Sequence, residues 1–140
     1  MGYLLDTCTI SEMVAKWPDA NVVDWFEDQD ESSLYLSVIT WGELQRGILQ
    51  LPAGKRRVKL ETWLSDELRP LFEGRIVDVD QKVISTWARM LASFKPKGII
   101  RASLDSLIEA TAIQNDLIIV TRNEKNFHDS HASVLNPWNA

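Results

Sequence analysis

Apolar residues fall into two alternating patterns along this chain. Short unbroken apolar runs are separated by longer stretches with helical spacing. Tyr3-Leu4-Leu5 is the first run, and it stops at Asp6, which predicts a buried strand ending in a carboxylate. Thr9-Ile10-Ser11-Glu12 has the spacing of a capping box, in which a hydroxyl and a carboxylate satisfy each other's turn, so a helix is expected there. Pro18 ends it or marks the next start. Residues 20–28, with Val22, Val23, Trp25 and Phe26, suit a second short helix. Leu34 to Val38 predicts a strand. Thr40-Trp41-Gly42-Glu43 repeats the capping-box spacing, and Leu44, Ile48 and Leu51 carry the helical period until Pro52-Ala53-Gly54 breaks it.

The second half continues the alternation. A longer helix is expected over 55–71, with Val58, Leu60, Trp63, Leu64 and Leu68 as its apolar side. Residues 75–79 predict a strand, 81–94 an amphipathic helix, 95–98 a turn and 103–115 a helix with Leu104, Ile108 and Ala112 on one face. Leu117-Ile118-Ile119-Val120 is apolar throughout, the pattern of a strand covered on both sides in a parallel sheet. Residues 133–135 predict a short last strand, and Asn136-Pro137-Trp138 closes the chain. Helices alternating with strands predict an α/β fold, a three-layer α/β/α sandwich around a mainly parallel sheet. With 140 residues and no linker, repeat or low-complexity stretch, 1–140 is read as one domain.

Composition adds three constraints. A single cysteine, Cys8, rules out an internal disulfide and suits a reducing compartment. The first six residues do not resemble a signal peptide, and no apolar run approaches the ~20 residues of a membrane span, so a cytoplasmic, non-membrane protein is expected. The net charge of -5 argues against a protein that coats nucleic acid unspecifically, but a nuclease is compatible with it, because metal-binding carboxylates place negative charge where the substrate sits. Six tryptophans are expected to serve mainly as core or interface anchors.

In open α/β sheets ligands bind at the C-terminal ends of the strands. There the chain places Asp6, then Thr40 and Glu43, then Thr121, Arg122 and Asn123, while Asp105 lies in the first turn of its helix. Each acid also has a structural explanation. Asp6 could cap the following helix, Glu43 could complete a capping box with Thr40, and Asp105 could answer a helix dipole. Spacing alone leaves both readings open.

Leu4-Leu5-Asp6-Thr7, Leu36 to Leu44 with Gly47-Ile48, Asp105 to Ala112, Val120 to Phe127 and Leu135-Asn136-Pro137-Trp138 together resemble the PIN-domain family, in particular its VapC and FitB type of toxin. The segments span nearly the whole chain in the family's order. The resemblance implies a ribonuclease in which Asp6, Glu43 and Asp105 converge as the catalytic, metal-binding cluster for Mg²⁺ or Mn²⁺. It implies supporting roles for the hydroxyls of Thr7 and Thr121. Where the family often has a fourth acid, this chain has Asn123 and Asn126, which could ligate a metal or hold a water without adding charge; Glu124 is a weak substitute. Glu109, on the same helix face as Asp105, is expected to be exposed or to stand behind the site.

A hard dication suits phosphodiester hydrolysis because it can generate a nucleophile, orient the phosphate and neutralise charge. Arg122, Arg101 and Lys97, with Lys95, are the expected substrate-binding cations. The run Lys55-Arg56-Arg57-Val58-Lys59 is read instead as a solvated helix face, and Arg46 is ambiguous. His128 and His131 are expected to have no catalytic part. A dehalogenase-type phosphatase is disfavoured, since Cys8 stands where its Asp-x-Asp-x-Thr signature needs the second acid. No dinucleotide or phosphate-loop glycine motif is present. The serious rival is a PIN fold that only binds RNA or a partner. The resemblance further implies a homodimer and a small cognate antitoxin, whose arginine could enter the acidic cluster. Trp17, Trp25 and the helices near them are the expected surface for the antitoxin or second protomer.

Overall fold

In the computed structural model, which describes residues 1–139, five parallel strands form the sheet. They are β1 (Gly2–Leu5), β2 (Leu34–Ser37), β3 (Ile76–Val77), β4 (Leu117–Val120) and β5 (Val134–Leu135), in the spatial order β3-β2-β1-β4-β5. Every pairing is parallel, with Leu5 beside Val120, Leu4 beside Tyr35 and Leu36 beside Ile76. The order reverses at β1, so the crevice beyond Asp6 is the switch point at which such sheets bind ligands. β3 is shorter than the expected 75–79, because only Ile76 and Val77 pair with β2.

The helices are α1 (Thr7–Glu12), α2 (Ala20–Glu27), α3 (Val38–Leu49), α4 (Lys55–Thr62), α5 (Arg69–Leu71), α6 (Gln81–Phe94) and α7 (Ser103–Gln114). A π-helical segment, Trp63–Leu68, joins α4 to α5, so the expected 55–71 helix is continuous but widened in its middle. Neighbouring residues of one strand enter different cores. Leu5 and Val120 join Ile10, Leu36, Leu44 and Phe72, whereas Leu4 and Ile119 join Ile108, Ala112 and Phe127. That is strand alternation with both faces covered, hence three layers. A third cluster, Val83, Met90, Phe94 and Ala110, locks α6 onto α7. Gly2 admits the close approach of β4: a Cβ there would lie 2.5 Å from a Leu117 methyl.

Two helix starts differ from the capping boxes expected in the sequence. α1 begins at Thr7 with Asp6 as its cap, and the Thr9 hydroxyl donates instead to the Val120 carbonyl at 2.9 Å. α3 begins at Val38, where Ser37 Oγ accepts from the Ile39 N–H at 3.1 Å. Thr40 is thereby drawn into the core, its hydroxyl without a partner, and Glu43 is left for other contacts. No helix among the described residues is long and apolar enough to cross a membrane. Trp25, Trp41, Trp63 and Trp87 pack against the cores as anchors, and Trp25 meets Tyr3 edge-on at 5.2 Å. Trp25 is thus tied to the interior rather than offered as a free surface, while Trp17 is 83% exposed.

Candidate active site

Asp6 is set by the sheet. Its N–H donates to the Val120 carbonyl at 2.9 Å, extending the β1–β4 ladder one residue past the strand. The side chain then turns to the crevice. Oδ1 accepts from the Thr7 N–H at 2.8 Å and Oδ2 from the Thr121 hydroxyl at 2.8 Å. Thr121 is fully buried and itself accepts from the Asn123 N–H at 3.1 Å. Capping and a site role therefore coexist, since each carboxylate oxygen has a second lone pair to offer. The Cys8 sulfur joins this network, 3.6 Å from the Thr121 hydroxyl and 3.9 Å from Asp6 Oδ2, and accepts from the Arg122 N–H at 3.5 Å. The sequence alone marks Cys8 as an unpaired thiol and as a mismatch to a phosphatase signature, not as part of this network. Its place two residues after the strand-end acid was the available signal.

Glu43 reaches the same edge from the second turn of α3. The Thr7 hydroxyl donates to its Oε1 at 3.0 Å, so one residue ties Asp6's helix to Glu43. Asp105 arrives from the first turn of α7, the helix that runs back to the start of β4. Burial pushes the Glu43 carboxyl above its ordinary range; the negative charges of Asp6 and Asp105 add to this, against the Thr7 hydrogen bond and Arg46. Burial likewise raises Asp105, helped by Asp6 and Glu109 and opposed by Arg101. Acids from three different elements thus bear on this crevice: Asp6 and Asp105 on Glu43, and Asp6 on Asp105.

The arrangement is open rather than caged. Among the described residues, no three carboxylate, imidazole or thiol groups are drawn together tightly enough to form a ready-made metal site. The donor chemistry nevertheless fits a hard dication. Mg²⁺ takes oxygen ligands and keeps several waters, so it needs few direct carboxylates, and a bound cation would relieve the repulsion that adds to burial in raising Glu43 and Asp105.

The remaining expected residues divide. Asn123 and Asn126 are exposed at the turn after β4, where Asn126 N–H bonds the Asn123 carbonyl. Arg122 is exposed at the sheet edge, its guanidinium 5.6 Å from the centre of the Trp138 ring. Lys97 is exposed in the turn after α6. Arg101 corrects the expectation of a substrate-binding cation. Its side chain is wholly buried, with Nε donating to Glu109 Oε1 at 2.7 Å and Nη2 to Oε2 at 3.3 Å. Of the two expectations for Glu109, exposure fails and a place behind the site holds: it is fully buried, because it supplies the countercharge that lets Arg101 lie against the Phe94 ring at 4.8 Å. The run at 55–59 also divides: Arg57 pairs with Glu61 on the solvent side at 2.7 Å, whereas Arg56 and Lys59 line a groove that reaches Thr7 and Glu43.

The geometry has counterparts among known proteins. The pattern described as PIN domain matches residues 3–130. The chain is 35% identical over 135 residues to the VapC ribonuclease Y4jK of Sinorhizobium fredii, covering 96% of each, and 37% identical over 135 residues to toxin FitB of Neisseria gonorrhoeae, covering 96% of this chain and 97% of that one. It is similar to the crystal structure of FitAcB from Neisseria gonorrhoeae, with a TM-score of 0.94 at 36% identity and 99% of both chains covered. With the strand order, the strand-end aspartate and a family match that spans most of its length, this chain belongs to the PIN-domain family.

Proposed function

We propose that the protein is a metal-dependent endoribonuclease and the toxin component of a toxin–antitoxin pair. One observation supports the reading most: at the switch point of the parallel sheet the charges of Asp6 and Asp105 both bear on the Glu43 carboxyl, and that of Asp6 bears on Asp105, although the three are far apart in sequence. Relatives named as a VapC ribonuclease and as toxin FitB support the activity and the biological role. In this reading the three carboxylates hold Mg²⁺ or Mn²⁺, which when bound activates water and neutralises the phosphate. Thr121 and the Thr7 N–H orient Asp6, and the Thr7 hydroxyl orients Glu43. Asn123 and Asn126, uncharged and exposed, leave that end of the crevice without a fourth carboxylate.

Two partners belong to the proposal: a small antitoxin that presents an arginine to the acidic crevice, as carboxylates bind guanidinium in bidentate fashion, and a second copy of the chain. Purified protein incubated with a defined RNA tests the activity. Cleavage should require added Mg²⁺ or Mn²⁺, and Asp6→Asn, which retains a good helix cap, should abolish it with an unchanged circular dichroism spectrum. A folded wild type that binds RNA but never cuts it would establish the binding-module alternative instead.

A further inference from the structure

The three helices around the acids do not start alike. Asp6 caps α1 and Ser37 caps α3, each with its own side chain, but α7 starts at Ala102, whose methyl group can accept nothing. The turn that presents Asp105 therefore lacks the local device that fixes the other two. Arg101, one residue earlier, holds it instead. Its neighbour Ile100 is exposed, yet the Arg101 side chain is fully buried. One guanidinium then reaches two elements. Nε donates to Glu109 Oε1 at 2.7 Å and Nη2 to Oε2 at 3.3 Å, one turn beyond Asp105 in α7, and Nη2 also donates to the His128 carbonyl. His128 ends the short 3₁₀ turn Glu124–Phe127 after β4, whose Phe127 is buried in one cluster with Ile108 and Ala112 of α7. At its other end this turn is attached to the first acid. The Asn123 N–H donates to the Thr121 hydroxyl, which donates in turn to Asp6 Oδ2. The connection thus runs without a break from Asp6, through Thr121 and the turn, to Arg101 and α7.

We propose that Arg101 and Glu109 are positioning residues: with the segment 123–128 they form a buried strut that sets Asp105 in place relative to Asp6. The inference rests on the ribonuclease reading and adds to it how the acids are held. Stability alone is a poor reason for the pair, since a well-packed apolar pair of similar volume serves a core at least as well. What an apolar pair lacks is direction. A forked guanidinium on a carboxylate fixes both distance and plane, and its remaining N–H groups can serve a carbonyl at the same time. Placement matters more here because Asn123 and Asn126 add no charge at that end of the crevice. A cation there is located by few carboxylates, and a shift of about 1 Å in one of them can cost roughly 100-fold in rate.

The test compares the full wild-type chain with the double variant Arg101→Met, Glu109→Leu, from which both buried charges leave together. Hydrogen exchange without metal, read by mass spectrometry, should be about tenfold faster in the double variant over 101–106 and 123–128, with the strands unchanged. Mn²⁺ titrated into each chain, its free ion read by paramagnetic resonance, should bind the double variant roughly tenfold more weakly. At saturating Mn²⁺, cleavage of a defined RNA should lose roughly 10–100-fold in kcat. KM for the RNA should stay the same, because the buried guanidinium is not offered to it. Arg101→Lys keeps the charge without the fork and should fall between the two chains in all three readings. A folded double variant with wild-type exchange in both segments, or with wild-type Mn²⁺ affinity and kcat, would overturn the proposal. So would a loss confined to KM, which would mean that Arg101 acts on the RNA itself. Should the double variant not fold, the same readings on Arg101→Lys decide the matter. Failure of the ribonuclease reading is recognised separately, as a wild type that never cuts RNA with Mn²⁺; the strut is then judged by exchange, which needs neither metal nor RNA.

Discussion

Replacing Arg101 by Met offers the most demanding test of the structure, because it removes one half of an ion pair that has no access to water. Both side chains are 0% exposed, and the guanidinium meets the Glu109 carboxylate at 2.7 and 3.3 Å. It also donates to the His128 carbonyl and lies over Phe94. At an effective dielectric near 20, two unit charges about 4 Å apart attract by roughly 4 kcal/mol. Desolvation offsets much of this while both partners are present, so the intact pair contributes little net stability. Arg101→Met leaves Glu109 buried without a countercharge, and breaking such a pair costs about 3–5 kcal/mol. For a domain of this length the melting temperature should fall by roughly 10–15 °C. Urea denaturation at neutral pH measures the loss directly. The deficit should shrink as pH falls, since a neutral carboxyl is far cheaper to bury than a carboxylate. Adding Glu109→Leu should recover most of the stability, because the uncompensated charge is then gone. A single variant within about 1 kcal/mol of wild type, or a double variant no better than the single, would refute this account. The pair also bears on the site. Arg101 precedes α7 and Glu109 lies within it, so together they fix the turn that carries Asp105, whose ionisation Arg101 favours.

Three further outcomes are expected. Glu43 and Asp105 titrate above the ordinary carboxylate range in the fold, so their contribution to stability is complete below the unfolded-state value and is lost as pH rises through the raised one. Glu43→Gln should therefore stabilise the metal-free protein at neutral pH more than at about pH 4, and urea melts showing the opposite order would contradict this. Mn²⁺ or Mg²⁺ at about 100 times its dissociation constant should stabilise the wild type by roughly 2.7 kcal/mol and Asp105→Asn far less, read as a thermal shift against chelator; no shift with either metal counts against the site. Two buried threonines should behave in opposite ways. Thr121→Val removes a hydrogen bond to the Asp6 carboxylate and should cost about 1.5–3 kcal/mol together with activity, whereas Thr40→Val replaces an unpartnered hydroxyl and should be neutral or stabilising by chemical denaturation.

The architecture was largely legible because it depends on periodicity. Alternation of apolar runs with helical spacing marked every strand of the sheet, and the unbroken run at 117–120 identified a strand covered on both faces. What the pattern could not resolve was competition between local and distant partners. The Thr9 and Thr40 spacings fit capping boxes, yet Asp6 and Ser37 cap the helices, since a polar residue ending a buried strand is already turned toward the next N–H groups. Arg101 was misread for a related reason. Its partner lies eight residues on, beyond one helical turn, and nothing in a single sequence tells a buried pair from two solvated charges. Asp6, Glu43 and Asp105 are each visible in the sequence as acids beside apolar segments, but it is family resemblance, not spacing, that implies their convergence. Only the parallel crossover brings the first turn of α7 back beside the end of β1.

The distribution of charge connects fold to function. A surface that is acidic overall would repel a polyanion, and a crevice of carboxylates would repel it most. Two local reversals can overcome this: a dication at the crevice, and the Lys16, Arg56 and Lys59 groove beside it. The first acts only when metal is present, while the second is permanent. Binding and cleavage should therefore separate. In the ribonuclease reading a phosphate comes to rest beside Glu43 only once a cation has quenched the repulsion that adds to burial in raising that carboxyl. Burial of Arg101 sharpens this division, because its guanidinium is held inside the protein by Glu109 and is not offered to a phosphate. In the proposed ribonuclease reading the crevice would depend on an added metal for its positive charge, and the same dependence would make it receptive to a protein that supplies a guanidinium in the metal's place.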